Sequence, residues 1–251
     1  MDAATQSRKR LERDLRVALQ VGQLEMHYQP LIDINHNRMT GVEALMRWKH
    51  PEHGWVSPAD FIPVAEQSGL IIPLGEWALR RACAEALGWL GLSLSVNVSA
   101  VQFRHPGYVA SVEQVLAETG FPANRLELEV TESVLLQNAD AALVTLNTLK
   151  ALGLRVAMDD FGTGYSSLSY LHKFPFDKIK IDASFIRGLG HSRDSAAIVR
   201  AVLNLGQTLG LETNAEGVET STELDFLRTE GELCWILGDV AVRRRGLTGA
   251  R

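Results

Sequence analysis

An α/β barrel is the fold this sequence predicts, and three observations predict it. From about Leu92 onward, short runs of alternating apolar residues are separated by longer segments of helical period. That repetition implies parallel strands joined by crossover helices. Three of the helical segments finish in a glycine, Gly120, Gly153 and Gly210, that leads straight back to apolar sequence, as a left-handed cap followed by a short connection requires. Each strand candidate also carries a polar residue near its C-terminal end. In a closed parallel barrel the outer face packs on helices and the inner face points to the axis, so those polar residues converge on one place. A chain of 251 residues with 46% hydrophobic and 22% charged residues can bury one core of that size.

In order along the chain, residues from about Ser7 to Val21 read as a helix, because Leu11, Leu15, Ala18 and Leu19 recur at helical spacing among charged residues. Residues 1–21 are then a lead-in, either an ordinary N-terminal helix or the stub of a linker from a larger protein. Alternation begins at Leu24 and predicts two strands, Leu24 to Pro30 and Met39 to Trp48, separated by the turn-like Asn35-His36-Asn37. In the second, Val42, Ala44 and Met46 point to one face and Glu43, Leu45 and Arg47 to the other. Pro58 to Gln67 and Leu74 to Leu90 read as helices, the latter with Leu79, Cys83, Leu87 and Leu90 on one stripe. Strands follow at Leu92–Val98, Leu126–Val130, Leu154–Met158, Lys178–Asp182 and Leu211–Glu216.

One polar residue per strand top gathers Glu43, Asn97, Glu129, Asp159, Lys180, Asp182 and Glu216. Five acids beside one amide and one lysine are very costly to assemble without cations. All-oxygen ligands select hard ions, so Mg²⁺ or Mn²⁺ is favoured over Zn²⁺. The adjacent acids Asp159 and Asp160 end an aliphatic run and precede a loop with two glycines. Taken alone such a pair is either a solvated strand end or a shared divalent-metal site.

Composition narrows the class further. A formal net charge of −5 argues against a broad basic surface for duplex nucleic acid or an anionic membrane, yet leaves room for one small anionic ligand held by a few arginines. Cys83 and Cys234 form neither a disulfide framework nor a metal-ligand spacing, which fits a reducing cytoplasm. No apolar run reaches the ~20 residues that span a bilayer, and the N-terminus lacks the apolar core of a signal peptide.

Six motifs carry a resemblance. They are Glu43-Ala44-Leu45 within Val42–Trp48, Asn97 within Ser95–Ser99, Glu127–Ser133, Asp159–Gly164, Lys178–Asp182 and Ala215–Glu219. In this order, over roughly residues 10 to 230, they resemble the EAL-domain cyclic-di-GMP phosphodiesterases. The resemblance implies a TIM-like (β/α)8 barrel whose first strand runs antiparallel to the others. It implies hydrolysis of cyclic-di-GMP to linear pGpG with two Mg²⁺ or Mn²⁺ ions, and inhibition by Ca²⁺. By that likeness Glu43, Asn97, Glu129 and Asp159 hold one metal, and Asp159 bridges to a second that Asp160 helps bind. Lys180 orients the attacking water and Glu216 is the general base. Glu132 braces the loop after Asp160, while Gln29, Arg47 and Asp182 contact the nucleotide. The implied setting is a cytoplasmic segment of a parent protein carrying an upstream sensor or GGDEF domain, with a homodimer as a candidate assembly. The alternative is a catalytically impaired receptor that binds the nucleotide and signals to a partner.

The end of the chain departs from the family. Leu237 stands where the family has glutamine, and the sequence from Arg243 to Arg251 has no amphipathic period. Within a barrel domain of residues 22–240, the last strand and closing helix are therefore expected to be irregular. A short strand through Leu233, Trp235 and Leu237 is expected to fill the gap, with residues 241–251 disordered.

Overall fold

Strand β1 (Leu24–Asp33) holds the position on which closure of the sheet depends, because it pairs antiparallel with a neighbour on each side. The computed structural model describes residues 3–136, 138–162, 168–230 and 234–237. Helix α1 (Ala3–Val21) leads into β1, which turns back as β2 (Arg38–His50). The turn has a local cause: Asp33 Oδ1 accepts the backbone N–H groups of Asn35 and His36 at 3.0 and 3.2 Å, and Asn37 adopts φ 45°. The short β3 (Gly54–Val56), α2 (Pro58–Ser68) and α3 (Ile71–Ala86) follow, then β4 (Ser93–Val98), α4 (Ala100–Phe103) and α5 (Tyr108–Thr119). Next come β5 (Leu126–Thr131), α6 (Ser133–Leu136), α7 (Ala139–Ala151), β6 (Arg155–Phe161), α8 (Leu168–Lys173), β7 (Lys178–Ile181) and α9 (Ala183–Arg187). The described residues end with α10 (Arg193–Leu209), β8 (Glu212–Val218), α11 (Ser221–Glu230) and β9 (Cys234–Leu237).

The strands are joined in the order β1-β9-β8-β7-β6-β5-β4-β2, and β1 pairs with β2 to close the ring, while β3 extends β2 outside it. Pairing is parallel from β2 through β4 to β9, and β1 is antiparallel to both of its neighbours. The antiparallel first strand is thus present. The irregular last strand is present as well. Only four residues form β9, yet they pair with both β8 and β1, with a register shift against β8 between Ala215 and Val218. Closure therefore does not depend on the family's glutamine. The sequence after Leu237, including the expected disordered tail, lies outside the described residues.

The aliphatic outer face of the strands packs under the helices, with Leu94, Leu126, Leu128, Val156 and Ile179 at its centre. A second cluster joins α1 to the barrel through Leu15, Ala18, Leu24, Trp48, Phe61 and Leu74. Gly120, Gly153 and Gly210 have φ values of 67°, 91° and 69°, the left-handed conformation read from their positions. The stripe on α3 needs correction. Leu79 and Cys83 are buried, but the helix ends at Ala86, and Leu87 and Leu90 are 42% and 87% exposed. They sit in a turn whose carbonyls at Ala86, Trp89 and Leu92 are held by the Arg125 guanidinium at 2.6 to 3.2 Å. The buried stripe continues instead through Ala78, Ala82 and Ala86.

Candidate active site

Two layers of charged side chains fill the barrel, and they differ in balance. In the lower layer Lys178 Nζ lies 2.6 Å from Glu127 Oε1, and Arg155 reaches Glu127 Oε2 at 3.3 Å and Glu212 Oε2 at 2.7 Å. Ser95 Oγ donates to Glu127 Oε1 at 3.0 Å. Two cations match two anions. Although burial pushes the Glu127 carboxyl up, Lys178, Arg155 and Ser95 outweigh that and hold it below the ordinary glutamate value.

The upper layer is not balanced. Lys180 Nζ, fully buried, lies 2.5 Å from Glu129 Oε2, 2.6 Å from Glu216 Oε1, 3.1 Å from Asp159 Oδ1 and 3.5 Å from Glu43 Oε2. Asn97 Nδ2 donates to Glu43 Oε1 at 2.7 Å. Glu129 is as deeply buried as Glu127 and two residues from it on the same strand face, yet its carboxyl is raised well above the ordinary value. Burial is the main cause, the charges of Glu43 and Asp159 add to it, and Lys180 only partly opposes them. Burial alone would lower the Lys180 ammonium; the surrounding carboxylates more than reverse that and raise it. Burial likewise pushes Glu216 up to about 8, with Lys180 opposing and Asp159 and Glu43 reinforcing. One lysine shared among four acids leaves an uncompensated negative charge in a low-dielectric space, the condition under which a carboxylate cluster binds a cation.

Local structure explains how these groups arrive together. Ser99 caps α4 with a capping box just after Asn97, and its hydroxyl donates to Glu66 on α2 at 2.6 Å, which fixes the top of β4. At the top of β6, Asp160 takes φ 54°, a left-handed conformation that few non-glycine residues adopt, and its N–H donates to Asp159 Oδ1 at 3.0 Å. Partial desolvation, then the charges of Asp159 and Asp182, raise the Asp160 carboxyl. After Glu216 the chain needs glycine: Gly217 has φ 67°, and a Cβ there would lie 2.7 Å from the Ala183 Cβ.

Of the residues expected at the site, Glu43, Asn97, Glu129, Asp159, Lys180 and Glu216 are brought together around one ammonium. Carboxylate oxygens of Asp159, Asp160 and Glu216 lie within 4.8 Å of one another, close enough to ligate a single ion. The donor set fits a hard divalent cation: it is all oxygen, anionic in excess, and partly open at Asp160. Gln29 is half-buried on β1, directly opposite Glu43 in register. Arg47 lies farther along β2, opposite Glu25, and donates to the Met46 carbonyl at 3.0 Å. Asp182 stands at the rim as N-cap of α9, accepting the Ser184 N–H at 2.9 Å and its hydroxyl. Glu132 follows β5, and the segment it was expected to brace, residues 163–167, lies outside the described residues. Strand alternation places Glu127, Arg155 and Lys178 opposite the aliphatic face, but sequence reasoning missed Glu212 and the mutual pairing of the four. The two-residue period held that signal, since each lies one strand repeat below a residue of the upper layer or its neighbour.

A consequence for pH follows from Glu216. Its folded-state value of about 8 lies above the ordinary 4.5, so between those limits the folded, metal-free chain binds more protons than the unfolded chain. Stability then falls as pH rises through that window. Thermal melting in chelator from pH 5 to 8 is expected to show that decline, to become shallower in Glu216→Gln, where the raised Glu129 still contributes with the same sign, and to disappear with Mn²⁺, which displaces the proton. A wild-type melting temperature in chelator that climbs across the window, with the same profile in Glu216→Gln, overturns this account.

An acid-lined α/β barrel with a carboxylate cluster at the C-terminal ends of its parallel strands is the class that fold and site define. The EAL domain profile matches residues 12–232. The chain belongs to the EAL domain family. Among curated proteins it is 47% identical over 236 residues to the bifunctional diguanylate cyclase/cyclic di-GMP phosphodiesterase MucR of Pseudomonas aeruginosa, covering 92% of this chain and 34% of MucR. It is 41% identical over 225 residues to the cyclic di-GMP phosphodiesterase PdeR of Escherichia coli, covering 88% of this chain and 34% of PdeR. The solved structure of PaMucR phosphodiesterase in complex with c-di-GMP superposes with a TM-score of 0.91 at 45% identity, covering 95% of this chain and 99% of that one. The chain thus spans about a third of the length of these curated relatives. Among the described residues no helix is long and apolar enough to cross a membrane.

Proposed function

We propose that this domain hydrolyses cyclic-di-GMP to linear pGpG with divalent cations. The observation that carries the reading is the excess of buried carboxylate around Lys180 in a barrel of this family. Glu43, Asn97, Glu129 and Asp159 would hold one Mg²⁺ or Mn²⁺, and Asp159 with Asp160 would hold a second. Such ions supply an activated water and stabilise charge on the phosphoryl and leaving oxygens. Glu216 takes a proton from the attacking water as general base. Lys180 orients that water. The new P–O bond forms as the P–O3′ bond breaks, and the released O3′ takes up a proton. Arg47 binds phosphate, Gln29 guanine and Asp182 the rim of the nucleotide, while Glu132 steadies the loop after Asp160. The domain acts in the cytoplasm within a longer protein bearing a sensor or GGDEF segment, and a homodimer is its candidate assembly.

Incubating purified protein with cyclic-di-GMP and Mg²⁺ is expected to yield pGpG; binding without product would favour the receptor alternative. Ca²⁺ is expected to inhibit, because its larger radius and looser coordination disturb an octahedral site, and activation by Ca²⁺ would contradict the ligand set. Binding and chemistry separate by mutation. Arg47→Ala is expected to weaken nucleotide affinity by ~1.5–3 kcal/mol, the value of a charge-assisted hydrogen bond. Glu216→Gln is expected to leave affinity nearly intact and to lower kcat. Titration calorimetry beside steady-state kinetics checks both, and loss of affinity alone in both variants would refute the assignment of Glu216 to chemistry.

A further inference from the structure

Asn214 is, among the described residues, an inner-face residue near the site whose polarity neither layer explains. It lies on β8, directly paired with Lys180 on β7 and two residues before Glu216. Residues paired across a parallel ladder share a face, so its side chain is on the same inner face as the ammonium. Asn214 is 1% exposed, and among the described residues its Oδ1 is buried with no hydrogen-bond partner. Buried amide oxygens are nearly always bonded, and one left unpaired destabilises the state that contains it. An aliphatic residue would suit the metal-free chain at least as well.

The ammonium beside it has the opposite surplus. Three N–H bonds face four carboxylates, at 2.5 to 3.5 Å. Those same carboxylates are the groups a divalent cation would take, and an oxygen bound to a cation is a poorer acceptor. We propose that Asn214 is a positioning residue for Lys180, its buried carboxamide oxygen accepting from the ammonium when cations occupy the carboxylates. A neutral acceptor meets that need without adding a further anion to the cluster. The inference rests on the proposal that the site binds divalent cations.

Asn214→Leu, branched at Cγ as asparagine is and without an acceptor, tests it by two signs. In chelator the variant is expected to melt no lower than wild type, and up to about 2–4 °C higher, since an unpaired buried amide oxygen has been removed. With Mn²⁺ alone its gain in melting temperature is expected to shrink, corresponding to about tenfold weaker Mn²⁺ binding, as for other groups that orient metal-site residues. In turnover kcat is expected to fall while KM for cyclic-di-GMP holds. A structural role, such as holding one buried water, would lower the melting temperature equally with and without Mn²⁺, and that result overturns the proposal. So does a variant whose Mn²⁺ gain equals a clear wild-type gain. A wild type that Mn²⁺ does not stabilise overturns the cation reading and this inference with it, so the two failures are distinguishable.

Discussion

Asp159→Asn is expected to reduce cyclic-di-GMP hydrolysis by at least about a thousandfold, or ~4 kcal/mol of transition-state stabilisation at 1.36 kcal/mol per decade. Asp159 links Lys180, Asp160 and Glu216. It lies 3.1 Å from Lys180 Nζ, accepts the Asp160 N–H at 3.0 Å, and belongs with Asp160 and Glu216 to the oxygen cluster that can enclose an ion. Asparagine keeps the shape and one acceptor oxygen but removes the charge that lets one group serve two cations. Folding is not expected to suffer. Removing one of several like charges beside Glu43, Glu129 and Glu216 relieves repulsion, so melting in chelator should hold or rise while the Mn²⁺ gain is lost. Near wild-type turnover in this variant would sink the two-metal proposal.

How far the sequence could be read depended on the range of the interaction responsible. The period-two alternation on β4 to β8 is local, and it identified Asn97, Glu129, Asp159, Lys180 and Glu216 as residues that converge once the sheet closes. Glycine caps were legible for the same reason, because the positive φ at Gly120 or Gly210 is required within a single turn. Where a helix stops was less legible. Apolar spacing continues through Leu87 and Leu90, but the chain is bent away after Ala86 by hydrogen bonds to Arg125, a residue 39 positions from that carbonyl. The antiparallel β1 could be drawn only from family resemblance, since alternation is identical in either direction. Closure by a four-residue β9 was readable as a strand, but the pairing of that strand with both β8 and β1 is a long-range fact. The lower ion-pair layer is of the same kind: its members alternate visibly, while the match of Lys178 to Glu127 across 51 residues does not.

That lower layer gives the largest effect expected on stability. Lys178→Met keeps length and apolar volume but strips Glu127 of its 2.6 Å partner in a place where both side chains are nearly inaccessible. Breaking a buried pair from one side costs about 3–5 kcal/mol, because the remaining charge stays desolvated. Glu127 still keeps Arg155 at 3.3 Å and Ser95 at 3.0 Å, which favours the lower end, a fall in melting temperature of about 6–12 °C. The double variant Glu127→Leu/Lys178→Met is expected to recover most of the loss, since Arg155 remains paired with Glu212 at 2.7 Å. The pH dependence adds a second check. In wild type the Glu127 carboxyl is held below its ordinary value, so its contribution is present above the unfolded value of about 4.5 and is lost as pH falls through the folded one. Without Lys178 burial prevails and raises that carboxyl, which then becomes protonated at mild acidity. The gap between wild type and Lys178→Met should therefore narrow as pH falls from 7 toward 5. A gap that is constant over that range, or a double variant no more stable than the single one, would mean that the lysine stem's packing and not the ion pair carries the effect.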